Sequence, residues 1–330
     1  MKVIKELVMW LLFVTAIVLM LTLFYAFKPL PLPSLPFEFS LKQGSSLKTA
    51  AHQMQQAGVF ENDTIFVVLA RILGKASQIK PGNYQIETST TPMQLLDMIS
   101  KGRVEQSEIS IIEGWTFSQF RLALDAEPTL RHDSTKLTEE EILQRIGAND
   151  KKAEGLFFPD TYNFASGSSD LAIFKRAYQL MQRHLQESWQ SRDNDLPIQS
   201  PYEALILASI VEKETGLAKD REMIAAVFTN RLRLHMLLQT DPTVIYGIGD
   251  KFDGNLRKRD LISDSPYNTY TRSGLTPTPI ALPSLAALKA VLHPAKSDAL
   301  YFVARGDGTS QFSRNLAEHN IAVNRYQLTK

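Results

Sequence analysis

The stretch SPYEALILASIVEKETG, Ser200 to Gly216, decides how the chain must fold. Ser200 with Glu203 three residues later spells a capping box, and Pro201 takes the first helical position, where its missing N–H is not needed. Gly216 supplies a stop. Between them Ala204, Leu205, Ile206, Leu207, Ala208, Ile210 and Val211 fall on every side of a helical wheel. A helix apolar all round is buried all round, so this segment predicts the central helix of a large domain. Its last turns carry two carboxylates, Glu212 and Glu214. Charges crowd helix ends, and a merely solvated terminus would carry them too. A carboxylate at a helix C-terminus, however, faces the negative end of the dipole, and partial burial disfavours its ionised form. Both effects raise its pKa, as a general acid working near neutrality requires. Steps of about 100° put Glu212 near Leu205, Ser209 and Gly216, and Glu214 on the opposite side with Leu207 and Ile210. Periodicity does not choose between them.

Downstream, LQTDPTVIYGIG (Leu238–Gly249) carries Gln239, Asp241 and Tyr246, and SPYNTYTRSGL (Ser265–Leu275) carries Tyr267 and Asn268. Closely spaced Tyr, Asn and Thr offer flat apolar faces and neutral hydrogen-bonding groups, which together suit sugar rings. A Tyr- and Asn-rich surface loop would look the same. The basic run KFDGNLRKRD (Lys251–Asp260) reads as a solvated loop. Upstream, Asp170–Trp189 is a long amphipathic helix, Thr116–Leu124 a shorter one, and Ser107–Gly114 a strand. Residues 128–153 read as a polar helical region, and Glu154–Phe164 (EGLFFPDTYNF) is rich in aromatics with no clear period. Residues 37–105 form a smaller unit. It comprises a strand at Phe37–Leu41, a helix opened by Ser46, a helix from Asp63 to Leu73, a short strand at Tyr84–Ile86 and a helix opened by Thr91-Pro92 and stopped by Gly102. That pattern suits a carbohydrate- or peptide-binding module, and equally a spacer domain.

At the other end of the chain, Leu7 to Phe27 gives 21 consecutive residues without a charge. As a helix they reach about 30 Å, the thickness of a bilayer core. The run is longer than the apolar part of a signal peptide and ends Phe24-Tyr25-Ala26-Phe27, without a small-x-small cleavage site. Lys2 and Lys5 before it predict an anchor with its N-terminus inside. Prolines 29, 31, 33 and 36 then predict an extended, stiff spacer. This organisation is 1–6 cytoplasmic tail, 7–27 transmembrane helix, 28–36 spacer, 37–105 small domain and 106–330 catalytic domain, an α+β chain held outside the cytoplasm.

Composition narrows the chemistry. The 330 residues hold 36 Lys+Arg and 35 Asp+Glu, a net charge of +1, which argues against a nucleic-acid partner. The absence of cysteine removes disulfides, thiol nucleophiles, Cys-based zinc sites and a lipoprotein anchor. Six scattered histidines give no metal-binding spacing, and no Gly-x-Ser-x-Gly or phosphate-binding loop is present, so neither metal nor cofactor is expected.

Taken in order, ASIVEKETG, LQTDPTVIYG, SPYNTY, HPA and YFVARGDG followed by FS and EHN strongly resemble the YceG-like family of endolytic murein transglycosylases, over essentially the whole chain. Two positions depart from the family pattern: Gly274-Leu275-Thr276-Pro277 replaces Gly-Leu-Pro-Pro, and Ser310 stands where a His is common. The resemblance implies that the small domain is LysM-like. It also implies cleavage of the MurNAc–GlcNAc β-1,4 bond within nascent peptidoglycan strands, leaving 1,6-anhydro ends and terminating elongation. The first Glu of E-K-E, Glu212, would be the catalytic acid and base. Glu214, Gln239, Asp241, Tyr246, Tyr267 and Asn268 would bind substrate, with His319 a weaker candidate for support. The implied partners are nascent glycan strands, the inner membrane and peptidoglycan synthases, with the catalytic part periplasmic. A hydrolytic muramidase would leave reducing ends instead, and a wall-binding scaffold would cut nothing.

Overall fold

Helix α7 (Pro201–Glu214) forms where the apolar run predicts it, and every residue from Ala204 to Val211 is buried. Ser200 Oγ accepts from the Glu203 N–H at 3.2 Å, but the Glu203 carboxylate reaches past Ser200 to the Gln199 N–H at 2.6 Å. The reciprocal half of the expected capping box is thus displaced by one residue, because Ser200 is fully extended. Around α7 pack α6 (Asp170–Gln190), α8 (Ala218–Arg233), α9 (Asp241–Ile248) and α11 (Leu285–Leu292). The computed structural model describes residues 24–328 apart from 34, 36, 43, 87 and 103–105, together with residues 9, 10, 13, 16, 20 and 22.

The chain divides into two compact units. In the first, β1 (Phe37–Leu41) pairs antiparallel with β2 (Gly82–Ile86), Phe39 opposite Tyr84. Against this pair lie α1 (Leu47–Gln56), α2 (Asp63–Ile72) and α3 (Pro92–Lys101). Ser46 and Thr91 cap α1 and α3 as read, and Gly102 ends α3 in the left-handed region. Met54, Phe66, Tyr84, Leu95 and Ile99 fill the core. Ala26 and Leu30 are buried in that same core, and Leu30 N–H donates to Thr90 O at 2.9 Å. Leu30 and Leu32 of the Pro-rich stretch therefore pack on the module, while Leu35 is exposed.

In the second unit, Phe117, Phe120, Phe157 and Phe174 form one aromatic cluster that joins α4 (Phe117–Ala126), the FFPDTY segment and α6. Of the predicted helical region 128–153 only α5 (Glu139–Ile146) is helical. β3 (Gln106–Ser110) and β4 (Thr161–Ala165) make a two-stranded sheet, so β3 stops short of the predicted Gly114. The C-terminal part adds α10 (Lys258–Ile262), the antiparallel pair β5 (Tyr301–Ala304) and β6 (Ser310–Ser313), and α12 (Leu316–Val323). Short strand pairs beside many helices fit the α+β class.

Among the described residues no helix is long and apolar enough to cross a membrane. The predicted span at 7–27 falls mostly outside the described residues. Of those that are described, Trp10, Phe13, Met20 and Phe24 are exposed apolar side chains, whereas Thr22 and Ala26 are buried.

Candidate active site

α7 ends at Glu214, where Thr215 turns extended and accepts the Leu217 N–H on Oγ1 at 2.9 Å. Gly216 is not needed as a left-handed stop. The two glutamates leave the helix on different sides, as their spacing requires.

Glu212 is half-buried and aimed at the start of α11. Its Oε2 accepts from the Ser284 N–H at 2.9 Å and from the Ser284 hydroxyl at 2.5 Å. Ser284 is the N-cap of α11 and also accepts the Ala287 N–H, so the carboxylate sits at the positive end of that helix. On its other side runs the turn Glu113–Trp115. Gly114 has φ +76°, and a Cβ placed on it would lie 3.9 Å from Glu212 Cγ and 3.7 Å from Lys213 Cδ. Lys213 Nζ donates to Gly114 O at 3.1 Å, Gly114 N–H to Leu282 O at 2.9 Å and Leu282 N–H to Trp115 O at 2.7 Å. The Glu113 carboxyl is pushed up by burial and by the charge of Glu212, and Arg221 opposes the shift.

Glu214 faces elsewhere. Thr240 Oγ1 donates to it, and burial pushes its carboxyl up, with Thr240 opposing and Asp241 adding to the rise. With Gln239, Asp241, Arg231, Tyr270, Tyr301 and His319 it lines a cavity of about 490 Å³. Tyr270 OH donates to Asp241 Oδ1 at 2.5 Å. Arg231 spends Nε on Leu300 O and Nη1 on Leu238 O, both at 2.7 Å, and lies 5.1 Å from the Tyr301 ring centre. His319 stacks on the other partner of that pair, Tyr301, at 5.2 Å and 26°. Burial and Arg231 lower the His319 pKa, so the ring is neutral at neutral pH. Gln239 adopts φ +49°, which turns the chain sharply at the cavity rim.

The other predicted residues lie apart from that cavity. Tyr246 and Tyr267 meet edge to face at 5.0 Å. Tyr246 OH donates to Glu154 Oε2 at 3.1 Å, and the Phe117 N–H to Glu154 Oε1 at 3.0 Å. Glu154 is 7% exposed, and burial pushes its carboxyl up to about 7 against these bonds. Tyr267 OH shares a hydrogen bond with Thr278 Oγ1 at 2.9 Å. Asn268 is buried: its amide donates to the carbonyls of Asp260, Leu261 and Ser263 and accepts the Tyr270 N–H. It organises the loop from inside, so any effect on a ligand runs through loop shape. The structure thus brings Glu214, Gln239 and Asp241 together, pairs Tyr246 with Tyr267, and sets Glu212 apart with Ser284 and Glu113.

Sequence reasoning passed over Glu113, Ser284, Arg221 and Glu154. Ser284 stood before the apolar run LAALKAVL, an N-cap signal, whereas Glu113 and Gly114 read as the end of the strand Ser107–Gly114. Neither signal reveals a carboxylate partner. Among the described residues Asp125, His132 and Asp170 come close enough to share a cation, but Asp170 already accepts the N–H groups of Asp133 and Ser134 and the Ser134 hydroxyl.

Fold and site define a helix-rich α+β domain whose chemistry rests on carboxylates, hydroxyls and tyrosines. The chain belongs to the YceG-like family, which matches it over residues 39–325. A Bacillus subtilis (strain 168) protein named endolytic murein transglycosylase is 32% identical over 308 residues, covering 88% of this chain and 85% of that protein. A Streptococcus pneumoniae (strain D39) protein of the same name is 28% identical, covering 86% of this chain but 57% of the longer relative. The crystal structure of a YceG-like protein from Listeria monocytogenes shares 29% identity and a TM-score of 0.55, covering 86% of this chain and 97% of that one.

Proposed function

We propose that this protein is a membrane-anchored endolytic peptidoglycan lytic transglycosylase that cleaves the MurNAc–GlcNAc β-1,4 bond within nascent strands, with Glu212 as the acid and base. The names of the relatives support the reaction class. The observation that carries the assignment is the hold on Glu212: Ser284 fixes Oε2 with two donors, and the described residues give Oε1 no hydrogen-bond partner. A carboxyl oriented through one oxygen presents the other to a substrate.

In this reading Oε1 delivers its proton to the bridging oxygen as the C1–O bond of MurNAc breaks. The carboxylate then takes the proton from the C6 hydroxyl of the same sugar, and O6 closes onto C1. No water is consumed, and the acid regains its proton. The intramolecular hydroxyl replaces the second catalytic carboxylate of ordinary glycosidases as nucleophile. The cavity lined by Glu214, Gln239 and Asp241 would take a neighbouring portion of the strand, with Tyr270 and Tyr301 offering ring faces. Tyr246, Tyr267 and Asn268 would support its rim through packing and loop shape. The charge-free run 7–27 would anchor the chain with its N-terminus inside and its catalytic part in the periplasm. There it could terminate strands emerging from a synthase, while the 37–105 domain meets the glycan.

Mass spectrometry of uncrosslinked glycan treated with the full chain tests this reading. Internal cleavage with 1,6-anhydro-MurNAc ends is expected, and Glu212→Gln should abolish it. Reducing ends alone would make the protein a muramidase; undiminished cleavage by Glu212→Gln would remove Glu212 from its role.

A further inference from the structure

Arg231, in the last turn of α8, is a cation that the cleavage reaction leaves unused, and it lines the cavity of about 490 Å³ beside Glu214. It is 7% exposed and forms no ion pair among the described residues. Its Nε donates to Leu300 O, and its Nη1 to Leu238 O and, at 3.3 Å, to Leu237 O. The described residues give Nη2 no acceptor. A guanidinium so deeply buried gains when an acceptor reaches its idle donor. Asp241, exposed at the same cavity, is half spent in the same way: Tyr270 OH donates to Oδ1, and among the described residues Oδ2 has no partner. The Tyr301 ring, 5.1 Å from the guanidinium, stacks in turn on His319, whose buried Nδ1 also lacks a partner. Phe302, Leu316 and Val323 add apolar lining. Idle hydrogen-bonding atoms gathered at one cavity with apolar walls point to a ligand that is polar in part.

Resting on the reading of the substrate as a glycan strand, we propose that this cavity recognises the 2-acetamido group of a sugar: Arg231 Nη2 donates to its carbonyl oxygen, Asp241 Oδ2 accepts its N–H, and its methyl meets Phe302, Leu316 and Val323. An amide is a neutral group that offers one acceptor and one donor at a fixed separation. Charge selects it over a carboxylate, the usual partner of a lone arginine. Glu214 and Asp241 set two carboxyls against one guanidinium, so an anion beside Arg231 would enter a cavity whose lining is not net positive. Two sugar hydroxyls could match the donor and the acceptor, but they bring no methyl to the apolar lining. Tyr270 completes the arrangement, since its bond to Oδ1 leaves Oδ2 as the oxygen free to accept. One consequence concerns the strand itself. Removal of the acetyl group would leave an ammonium facing Arg231, so a de-N-acetylated strand would be held poorly.

The test is calorimetric binding of two neutral probes to the full chain and to Asp241→Ala: chitotetraose, the N-acetylglucosamine tetramer, and cellotetraose, which carries 2-hydroxyls instead. Chitotetraose should bind wild type at least about tenfold more tightly, the ratio that one charge-assisted hydrogen bond supplies. Asp241→Ala, at an exposed position, should bring that ratio to about threefold or less. A ratio already that small in wild type, or no binding of chitotetraose, overturns the proposal. A ratio undiminished in Asp241→Ala overturns it too, because acetyl recognition would then lie elsewhere in the chain, the 37–105 domain included. Arg231 also ties down three carbonyls, so its replacement can cost the fold, and it is followed in wild type instead. Chitotetraose should shift the NMR signals of the Arg231 guanidinium, and saturation transfer should mark the acetyl methyls above the ring protons. Unmoved Arg231 signals or evenly marked sugar protons refute the assignment. Binding and cleavage fail separately: reducing ends would defeat the transglycosylase reading and leave the affinity ratio standing, whereas a lost ratio leaves 1,6-anhydro ends untouched.

Discussion

Glu154 gives the most quantitative handle on this fold. Its carboxyl is 7% exposed and is pushed by burial from 4.5 up to about 7, although the Phe117 N–H and Tyr246 hydroxyl both donate to it. Between about pH 4.5 and about pH 7 the folded chain keeps a proton that the unfolded chain has released. Stability from this residue is therefore fully present at the acid end, falls as pH rises through that window and is flat above it. The displacement corresponds to roughly 3 kcal/mol. Glu154→Gln removes the ionisation. The amide has one acceptor where the carboxylate has two, a misfit of about 1–2 kcal/mol, but that cost is equal at every pH and drops out of a comparison between pH values. The assay is thermal unfolding of wild type and variant at about pH 5.5 and pH 8.5. About one unit of the window lies below pH 5.5, so about 2 kcal/mol is lost over that interval, and with about 2–4 °C per kcal/mol for a cooperative unit of this size the wild type should lose roughly 4–8 °C more than the variant. All other titrating groups are common to both and cancel. Parallel Tm curves, within about 2 °C, would refute the reasoning, because they would mean that Glu154 ionises in the folded chain as it does in the unfolded one.

Two further outcomes are expected. Ser284→Ala removes the cap of α11 and one charge-assisted bond to Glu212; denaturant melts should show a loss of about 2–3 kcal/mol, and cleavage rates in the folded fraction should fall by up to about a hundredfold as the acid loses its orientation. Gly155→Ala should destabilise the second unit by more than about 2 kcal/mol in the same melts, since Gly155 has φ +79° and a Cβ there would come within 2.4 Å of Pro279 Cβ. Wild-type stability in that variant would mean the segment can move away from Pro279.

What the sequence disclosed followed the range of the interactions involved. α7 was legible because its signal is local and extreme: eight consecutive buried positions flanked by a cap and charges. The caps at Ser46, Thr91 and Gly102 were legible for the same reason. The helix expected over 128–153 shrank to Glu139–Ile146 because Asp133 and Ser134 donate to Asp170, which holds the chain in a loop before Thr138 can open a helix. That pairing spans 36 and 37 residues and leaves no periodic trace. β4 does alternate, with Tyr162 and Phe164 buried and Thr161 and Asn163 exposed, but so short a run directly after the aromatics Phe157 and Phe158 shows no period of its own in the sequence. Asn268 carries the side chain a sugar site would want, yet its amide is committed to three carbonyls of its own loop. Residue type proposes a role, and only the inventory of partners shows whether the group is available.

The same reasoning separates the two glutamates that periodicity could not. The argument from the helix end looked for a carboxyl pushed up by burial, and that carboxyl is Glu214. But Glu214 has Thr240 on it and Arg231 and Asp241 around it, and it belongs to the wall of a cavity. Glu212 has a different kind of surrounding: two donors on one oxygen, no hydrogen-bond partner on the other among the described residues, and the N-terminal end of α11 beside it. A group that must give up a proton and take one back within a single turnover needs neighbours that stabilise each state in turn. Ser284, with its N–H and its hydroxyl on one oxygen, keeps the carboxyl oriented in both. Burial alone would favour only the protonated state, which suits an acid but hinders a base. An oxygen held by two donors beside an oxygen with no partner among the described residues, rather than desolvation, is what makes Glu212 the better candidate for both halves of the reaction.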